Sequence, residues 1–472
     1  MFNWIDCTLE EREETMSKEK KQELKKVMVL GAGKSGIAAT NLLVKENIKV
    51  VLYDSNEEIE VERLKEQLEN GDKVKIVLGK LTADMIKQCD LAVISPGIPM
   101  EEEFVKKIQA ADKPIWSEIE LAYYFSKGKI AAITGTNGKT TTTALVGEIM
   151  ANYYESTFVV GNIGIPYTKV AADTKDISVI TAEISSFQLE TIHSFRPEVS
   201  AILNITPDHL NRHKTMENYI LTKQRICENQ SENQVCVLNY DDMITRKMAP
   251  VVTPKVMFFS RLHKLEEGVY LDNDAIMLAK DKQVKEVIKL ADIKLLGGHN
   301  IENIMAAIAI SVSMQVPLHF IKNTIKEFKG VEHRIEFVDT IGGVTYYNDS
   351  KGTNPDAAIK GIQAMVAPTL LIGGGYDKGV AFDEWIEAFD GKVRYLVLLG
   401  QTADLIAETA RKHGFEQIIK VESLEEAVAT CKKLANPGDA VLLSPACASW
   451  GMFDNYEQRG DLFKEYVRKL KG

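Results

Sequence analysis

Ile130-Ala131-Ala132-Ile133-Thr134-Gly135-Thr136-Asn137-Gly138-Lys139-Thr140 is the stretch on which the reading of this chain turns. An apolar run with strand character passes straight into a glycine turn, and a Lys-Thr pair then opens a helical stretch. Strand, glycine loop and helix in that order make a cradle for phosphate. Glycines let backbone N–H groups close on phosphate oxygens, and the start of the following helix favours negative charge. Lys139 is placed to reach the outer phosphates, and the Thr140 hydroxyl to hold Mg²⁺. The plainer alternative, a glycine turn capped by threonines, leaves the strand, the Lys-Thr pair and the helix as coincidences. The spacing between the glycines is shorter than in the common P-loop.

Working outward, the same alternation of short apolar runs and amphipathic stretches occurs in two further blocks. Upstream, Val27–Leu30 leads into Gly31-Ala32-Gly33-Lys34-Ser35-Gly36, a second run ends in Asp54, and Leu91–Ile94 ends in Ser95-Pro96-Gly97-Ile98-Pro99. Around the central loop, further strands end in Gly161-Asn162, Glu183, Asn204 and Asn239. Downstream, strands end in Gly373-Gly374-Gly375, Gly400-Gln401 and Ser444-Pro445-Ala446. Such alternation predicts an α/β fold of parallel sheets covered by helices. We expect a charged N-terminal extension (1–26), a Rossmann-like N-terminal domain (27–117), a central P-loop-type ATPase α/β domain (118–330) and a Rossmann-like C-terminal domain (331–472). Met16 heads a plausible alternative start. Ligands of open α/β sheets bind beyond the carboxyl ends of the strands, where the polar residues cluster here.

Bulk properties narrow the class. The chain of 472 residues carries a formal net charge of -10, which argues against nucleic acid as a main partner. Its six cysteines lack paired spacing, as expected of reduced thiols in the cytoplasm. No apolar run approaches the roughly 18 residues of a membrane span, so no membrane insertion is expected. Gly31-X-Gly33-X-X-Gly36 with Asp54 downstream matches the dinucleotide fingerprint and by itself suggests an NAD-binding oxidoreductase. The physics is broader, because a helix start holds any diphosphate. The neighbouring ATP-type loop weighs against hydride chemistry.

Thr134-Gly135-Thr136-Asn137-Gly138-Lys139-Thr140 resembles the ATP loop of the Mur ligases and folylpolyglutamate synthases. The likeness continues through Glu183-Ile184-Ser185-Ser186-Phe187-Gln188-Leu189-Glu190, Asn204-Ile205-Thr206-Pro207-Asp208-His209-Leu210, Gly298-His299-Asn300-Ile301-Glu302-Asn303, Glu332-His333-Arg334 and Asn348-Asp349-Ser350-Lys351-Gly352-Thr353-Asn354. Leu443 to Trp450 and Asn455 to Gly460 resemble the D-glutamate-adding branch of that family, although Trp450 stands where leucine or phenylalanine is usual. The Asp-Asn-Pro-Arg motif of the diaminopimelate-adding branch is missing. The resemblance implies a monomeric, cytoplasmic, ATP- and Mg²⁺-dependent ligase. It would join D-glutamate to UDP-N-acetylmuramoyl-L-alanine through an acyl phosphate, in peptidoglycan precursor synthesis. Another Mur ligase, a folylpolyglutamate synthase-like ligase, or a nucleotide-dependent sensor module are the alternatives.

The resemblance also implies roles for residues. Gly135, Thr136, Asn137, Gly138, Lys139, Thr140 and Thr141 would hold ATP, with Asn300, Asn303, Arg334 and Asp349 on the nucleotide side. Thr140, Glu183, His209 and Lys223 would surround a pair of Mg²⁺ ions. Lys34, Ser35, Asp54, Ser55 and Gly97 would take the UDP moiety, and Asn162 and Ser185 the rest of that substrate. Thr353, Lys378, Ser449, Trp450 and Tyr456 would receive the amino acid. Lys139, His209, Lys223 and Lys351 are the catalytic candidates. Composition alone makes Lys223 a solvated surface lysine; the resemblance implies a carbamylated one. Closure of the third domain is expected to complete the site.

Overall fold

Three sheets carry these motifs in a computed structural model that describes residues 24–162 and 164–471. Most of the expected extension, Met16 included, lies outside the described residues. The first sheet contains β1 (Lys26–Leu30), β2 (Lys49–Asp54), β3 (Lys75–Leu78), β4 (Leu91–Ile94) and β5 (Ile115–Ser117), all parallel, in the order β3-β2-β1-β4-β5. Val27 to Leu30 and Val50 to Tyr53 are buried, as befits strands covered on both faces. The strand order reverses between β1 and β4. The loops after these two strands therefore flank the crevice where such sheets take ligands.

The second sheet comprises β6 (Lys129–Thr134), β7 (Thr157–Gly161), β8 (Val179–Glu183), β9 (Val199–Ile202), β10 (Val235–Asn239), β11 (Lys255–Ser260), β12 (Gly268–Asp272), β13 (Ala275–Lys280) and β14 (Gln283–Lys289), ordered β14-β13-β12-β11-β10-β9-β6-β8-β7. β6 lies between β9 and β8, so the glycine loop, Glu183 and Asn204 emerge from neighbouring strands. The expectation of parallel strands fails at one edge, where β12, β13 and β14 form an antiparallel meander. Its second turn is the pair Asp281-Lys282, both with positive φ (52° and 60°), the backbone of a tight two-residue hairpin turn.

The third sheet holds β15 (Glu336–Ile341), β16 (Val344–Asn348), β17 (Thr369–Gly373), β18 (Val393–Leu398), β19 (Ile418–Lys420) and β20 (Ala440–Leu443), in the order β15-β16-β20-β17-β18-β19. β15 and β16 form a hairpin through Gly342-Gly343, and the other pairings are parallel.

The chain divides into two compact units. One runs through Leu290 and includes Asn303–Ile325; it carries the first two sheets. The other is Ala291–Glu302 with the chain from Lys326 onward, and carries the third. Within the first unit, Val27, Leu52, Ile119, Ile130 and Ile180 belong to one apolar cluster, so both sheets share a core. Among the described residues no helix is long and apolar enough to cross a membrane.

Candidate active site

β6 delivers the chain into Gly135 (φ +152°) and Gly138 (φ +85°), and the helix Lys139–Ala151 follows with no side chain capping its start. Gly138 must be glycine twice over: its φ is left-handed, and a Cβ there would stand 2.2 Å from Asn303 Oδ1. Asn204 braces the loop, accepting from the Asn137 N–H at 2.8 Å and donating to the Asn137 carbonyl at 3.1 Å. The Lys139 amine donates to the carbonyls of Gly135 (2.9 Å) and Thr136 (2.8 Å). Thr140 and Thr141 are buried in the first turn of the helix.

Lys223 reaches the same loop from the helix Met216–Gln224, donating to the Gly135 carbonyl at 2.9 Å. It is only 1% exposed, which overturns the reading from composition of a solvated surface lysine. Burial, with the Lys139 charge added, holds its amine well below the ordinary lysine pKa. Burial of this kind favours the uncharged form of an amine, the form that is nucleophilic.

Glu183, at the end of β8, is buried too. Its Oε1 accepts from Asn162 Nδ2 at 3.0 Å, and its Oε2 has no hydrogen-bond partner. An unpartnered buried carboxylate oxygen is costly unless a cation or donor completes it. A hard oxygen of this kind suits Mg²⁺, with the Thr140 hydroxyl as the second candidate ligand. His209 sits in left-handed backbone (φ +52°), half exposed, with its ring 4.8 Å from that of Phe187 and its Nε2 3.4 Å from Asp208. These contacts place it beside Phe187, four positions after Glu183 in the chain.

In the first sheet Gly36 packs against the preceding turn, where a Cβ would lie 1.8 Å from the Gly31 carbonyl. Gly33 stands at the uncapped start of the helix Lys34–Lys45, with Ser35 in its first turn. Asp54 accepts from the N–H groups of Ala32 (2.8 Å) and Asn56 (2.9 Å), tying the glycine loop to the segment with Ser55. Lys34 donates to the Gly164 carbonyl at 2.7 Å. A Cβ on Gly97 would meet nothing within 4 Å, leaving open space beside the loop after β4.

The second unit gathers the residues expected at the amino acid. Lys378 donates to the Thr353 carbonyl at 3.4 Å and lies 5.5 Å above the Trp450 ring, which meets Tyr376 edge-on at 5.6 Å. Lys351 stands 5.6 Å over the ring of Tyr456. Ser449 is buried, and its carbonyl accepts from Phe453 N–H. Asp349 accepts from Ser444 Oγ at 2.7 Å, and burial pushes its carboxyl up to about 7 against that bond and the nearby Arg334 charge. Arg334 has a buried Nε with no partner. Asn300 Nδ2 donates to the Leu296 carbonyl at 2.7 Å.

Three domain families match in order: the MurD-like N-terminal domain of Mur ligases over 25–117, the Mur ligase middle domain over 133–311, and the Mur ligase glutamate ligase domain over 333–447. The chain belongs to the Mur ligase family. The UDP-N-acetylmuramoylalanine–D-glutamate ligase of Lachnoclostridium phytofermentans is 54% identical to this Mur ligase over 95% of the chain and 98% of that protein. That of Clostridioides difficile is 47% identical over 95% and 99%. Two solved structures share its fold. UDP-N-acetylmuramate-alanine ligase MurC of Thermotoga maritima has a TM-score of 0.57 at 19% identity, over 94% of this chain and 99% of that one. MurF of the same organism, in complex with ADP, has 0.56 at 17%, over 95% and 97%. The three-domain α/β architecture of this Mur ligase is that of its family.

The structure also uses residues that the sequence reading passed over. Arg212 grips Glu190 through two bonds (3.1 and 2.6 Å) and donates to the carbonyls of Pro96 and Ile98, both at 2.9 Å. It so fastens the loop after β4 to the second sheet of this Mur ligase. His213 bonds Ser186 at 3.0 Å, and burial beside Arg212 depresses its pKa to about 4, keeping it neutral. Arg459, almost fully buried, donates to Ser350 Oγ (2.9 Å), Ser350 O (2.8 Å) and Cys447 O (3.2 Å), bracing the segment that bears Lys351. The polar run Asn211 to Thr215 around Arg212 gave no local signal, since its partners lie 22 and 114 or more positions away.

Proposed function

We propose that this chain is the cytoplasmic ligase that joins D-glutamate to UDP-N-acetylmuramoyl-L-alanine at the expense of ATP. The two relatives above carry that activity in their names and match nearly end to end. The observation that carries the chemistry is the pair of amines, Lys139 and Lys223, drawn to one carbonyl of the glycine loop beside a carboxylate with an unfilled oxygen. A glycine loop with Lys139 on it and a carboxylate oxygen left for a cation suit a nucleoside triphosphate with Mg²⁺.

In the first step a carboxylate oxygen of the L-alanyl group attacks the γ-phosphorus. The bond from that phosphorus to the bridging oxygen breaks, ADP leaves, and an acyl phosphate forms. The amine of D-glutamate then attacks the acyl carbon, loses a proton, and phosphate departs with the C–O bonding pair. A carboxylate is a poor electrophile, so phosphorylation provides the leaving group. The chain's contribution is alignment and charge neutralisation. The loop N–H groups and Lys139 take the phosphates, with Asn300, Asn303, Arg334 and Asp349 on the nucleotide side. Thr140 and Glu183 would hold Mg²⁺, which neutralises phosphate charge when bound. His209 orients or deprotonates a reacting group. Lys351 screens the anions, and Lys378, Thr353, Ser449, Trp450 and Tyr456 receive D-glutamate. Lys34, Ser35, Asp54, Ser55 and Gly97 take the UDP end, with Asn162 and Ser185 nearer the reacting carboxylate. The uncharged form of the buried Lys223 amine would add to CO₂ with loss of a proton and become a carbamate, an anion where an ordinary lysine carries a positive charge.

Phosphate release tests the whole reading. It should require UDP-N-acetylmuramoyl-L-alanine and D-glutamate together, with L-glutamate inactive. ATP hydrolysis indifferent to both would refute it in favour of a sensor module.

A further inference from the structure

Glu118 opens the helix Glu118–Phe125, directly after β5, and the reaction above assigns it no part. It is nearly inaccessible, with 3% exposure, yet it carries an ionisable group. Its Oε1 accepts from Gln188 Nε2 at 2.6 Å across 70 positions of sequence. Gln188 is also buried, and its other amide atom is committed. Its Oε1 accepts from the Ser185 N–H at 2.7 Å and from the Ser185 hydroxyl at 2.9 Å, while its own N–H donates back to Ser185 Oγ at 3.3 Å.

The orientation of the amide follows from this chain. An amide presents a carbonyl on one side and an NH₂ on the other, and an ionised carboxylate can only accept. Glu118 takes the NH₂ on its side and the Ser185 backbone N–H takes the carbonyl on the other, so the two together hold the amide in one place and one orientation. The Ser185 hydroxyl, facing a carbonyl, spends its one proton there. One of its lone pairs takes the Gln188 N–H, and the other is left for a donor outside the protein. Ser185 itself is half-buried, in contrast to Glu118 and Gln188.

We propose that Glu118 is a positioning residue for the UDP-linked substrate: through Gln188 it fixes the Ser185 hydroxyl as an acceptor toward that substrate. The inference rests on the reading above, in which Ser185 meets this substrate. Without Glu118 the buried Gln188 NH₂ has no acceptor, and the amide must leave this place to find one. The Ser185 hydroxyl then loses the carbonyl that takes its proton, the proton is free to point outward, and a substrate donor would meet a donor. Burial pushes the Glu118 carboxyl up to about 7, with the Gln188 bond acting against the rise. A neutral acid still accepts at Oε1 when its proton sits on Oε2.

Full-length E118L, E118Q and E118D enzymes should be compared in steady-state kinetics. E118L has no acceptor for Gln188 Nε2. It should raise KM for UDP-N-acetylmuramoyl-L-alanine about tenfold, with kcat within about threefold and KM for ATP unchanged, the pattern of lost ground-state alignment. E118Q keeps a carbonyl oxygen in reach and should return KM to within about twofold of wild type. E118D withdraws the oxygen by one methylene and should raise KM severalfold; it decides the matter if E118L does not fold. In an S185A background, E118L should add nothing further to KM. A wild-type KM in E118L or E118D overturns the proposal. So does an E118Q enzyme as impaired as E118L, or an undiminished E118L effect without Ser185. Failure of the underlying reading is distinguishable, because the wild-type enzyme would then consume no ATP in response to the UDP-linked substrate.

Discussion

The glycine loops at 31–36 and 135–140 use one backbone device and differ in the charge around it. Each follows a parallel strand and precedes a helix whose start is uncapped by a side chain. Beneath the first loop lies a carboxylate, Asp54, held by the loop's own Ala32 N–H. The Lys34 amine beside it is exposed and turned to the Gly164 carbonyl. Against the second loop lie two amines, Lys139 and Lys223, both on the Gly135 carbonyl, the latter removed from water. A helix start alone supports a diphosphate. A further phosphoryl group that must be transferred calls for added charge neutralisation, which on the proposed reading falls to Lys139 and a metal ion. The two loops thus differ in the charge set against them, a carboxylate under the first and lysines at the second, where the glycine patterns do not discriminate.

The largest expected effect breaks this asymmetry at its centre. K139M should lower kcat by about a thousandfold or more, close to 4 kcal/mol of transition-state stabilisation at about 1.4 kcal/mol per tenfold. K34M should raise KM for the UDP-linked substrate by about tenfold or less and leave kcat nearly intact, since one exposed charge contributes little. Equal losses in both variants would remove the distinction between the loops. Next in size, K223A should lower kcat by about a hundredfold. In wild-type enzyme given ¹³C-bicarbonate, a carbamate carbon resonance should appear and be missing from K223A. A spectrum without it leaves Lys223 a plain amine. Third, G36A should cost about 1–3 kcal/mol of stability, because its Cβ meets the Gly31 carbonyl at 1.8 Å, whereas G33A meets nothing within 4 Å and should melt almost as wild type.

Those loops were legible because what they need is local. Gly31, Gly135 and Gly138 have left-handed or otherwise restricted φ, which a sequence displays as glycine between a strand and a helix. Asp54, Glu183 and Ser444 were legible as polar residues ending apolar runs. Lys223 was legible only through the family resemblance and not from composition, because its amine meets the Gly135 carbonyl 88 positions away. Nor was Arg212 legible, whose partners are Glu190 and two carbonyls of the loop after β4, nor Glu118, which reads as one acid among several in Ser117-Glu118-Ile119-Glu120. The β12–β14 meander escaped notice for a different reason. Asp281 and Lys282 adopt positive φ without a glycine to announce the turn. Single-sequence patterns report backbone demands and strand ends; they do not report which distant surface covers a charge.

The smallest effect sharpens the comparison at the join between the two blocks, and it needs no ligand. Glu118 stands where the first sheet's last strand gives way to the second block, and burial raises its pKa from 4.5 to about 7. An acid with a raised pKa in the folded state holds its proton more tightly there than in the unfolded chain. Its contribution to stability is complete below the unfolded value and is lost as pH rises through the folded one. Wild-type enzyme should accordingly lose stability between about pH 4.5 and pH 7 at this position, while E118Q, which cannot ionise, should not. The difference in Tm, variant minus wild type, should therefore grow more positive across that window by a few degrees and level off above it. A constant difference would mean that Glu118 is ionised at no cost in the folded protein. Its unpartnered Oε2 would then have to be solvated, and the seam between the two loop-bearing sheets would be wetter than its apolar core implies.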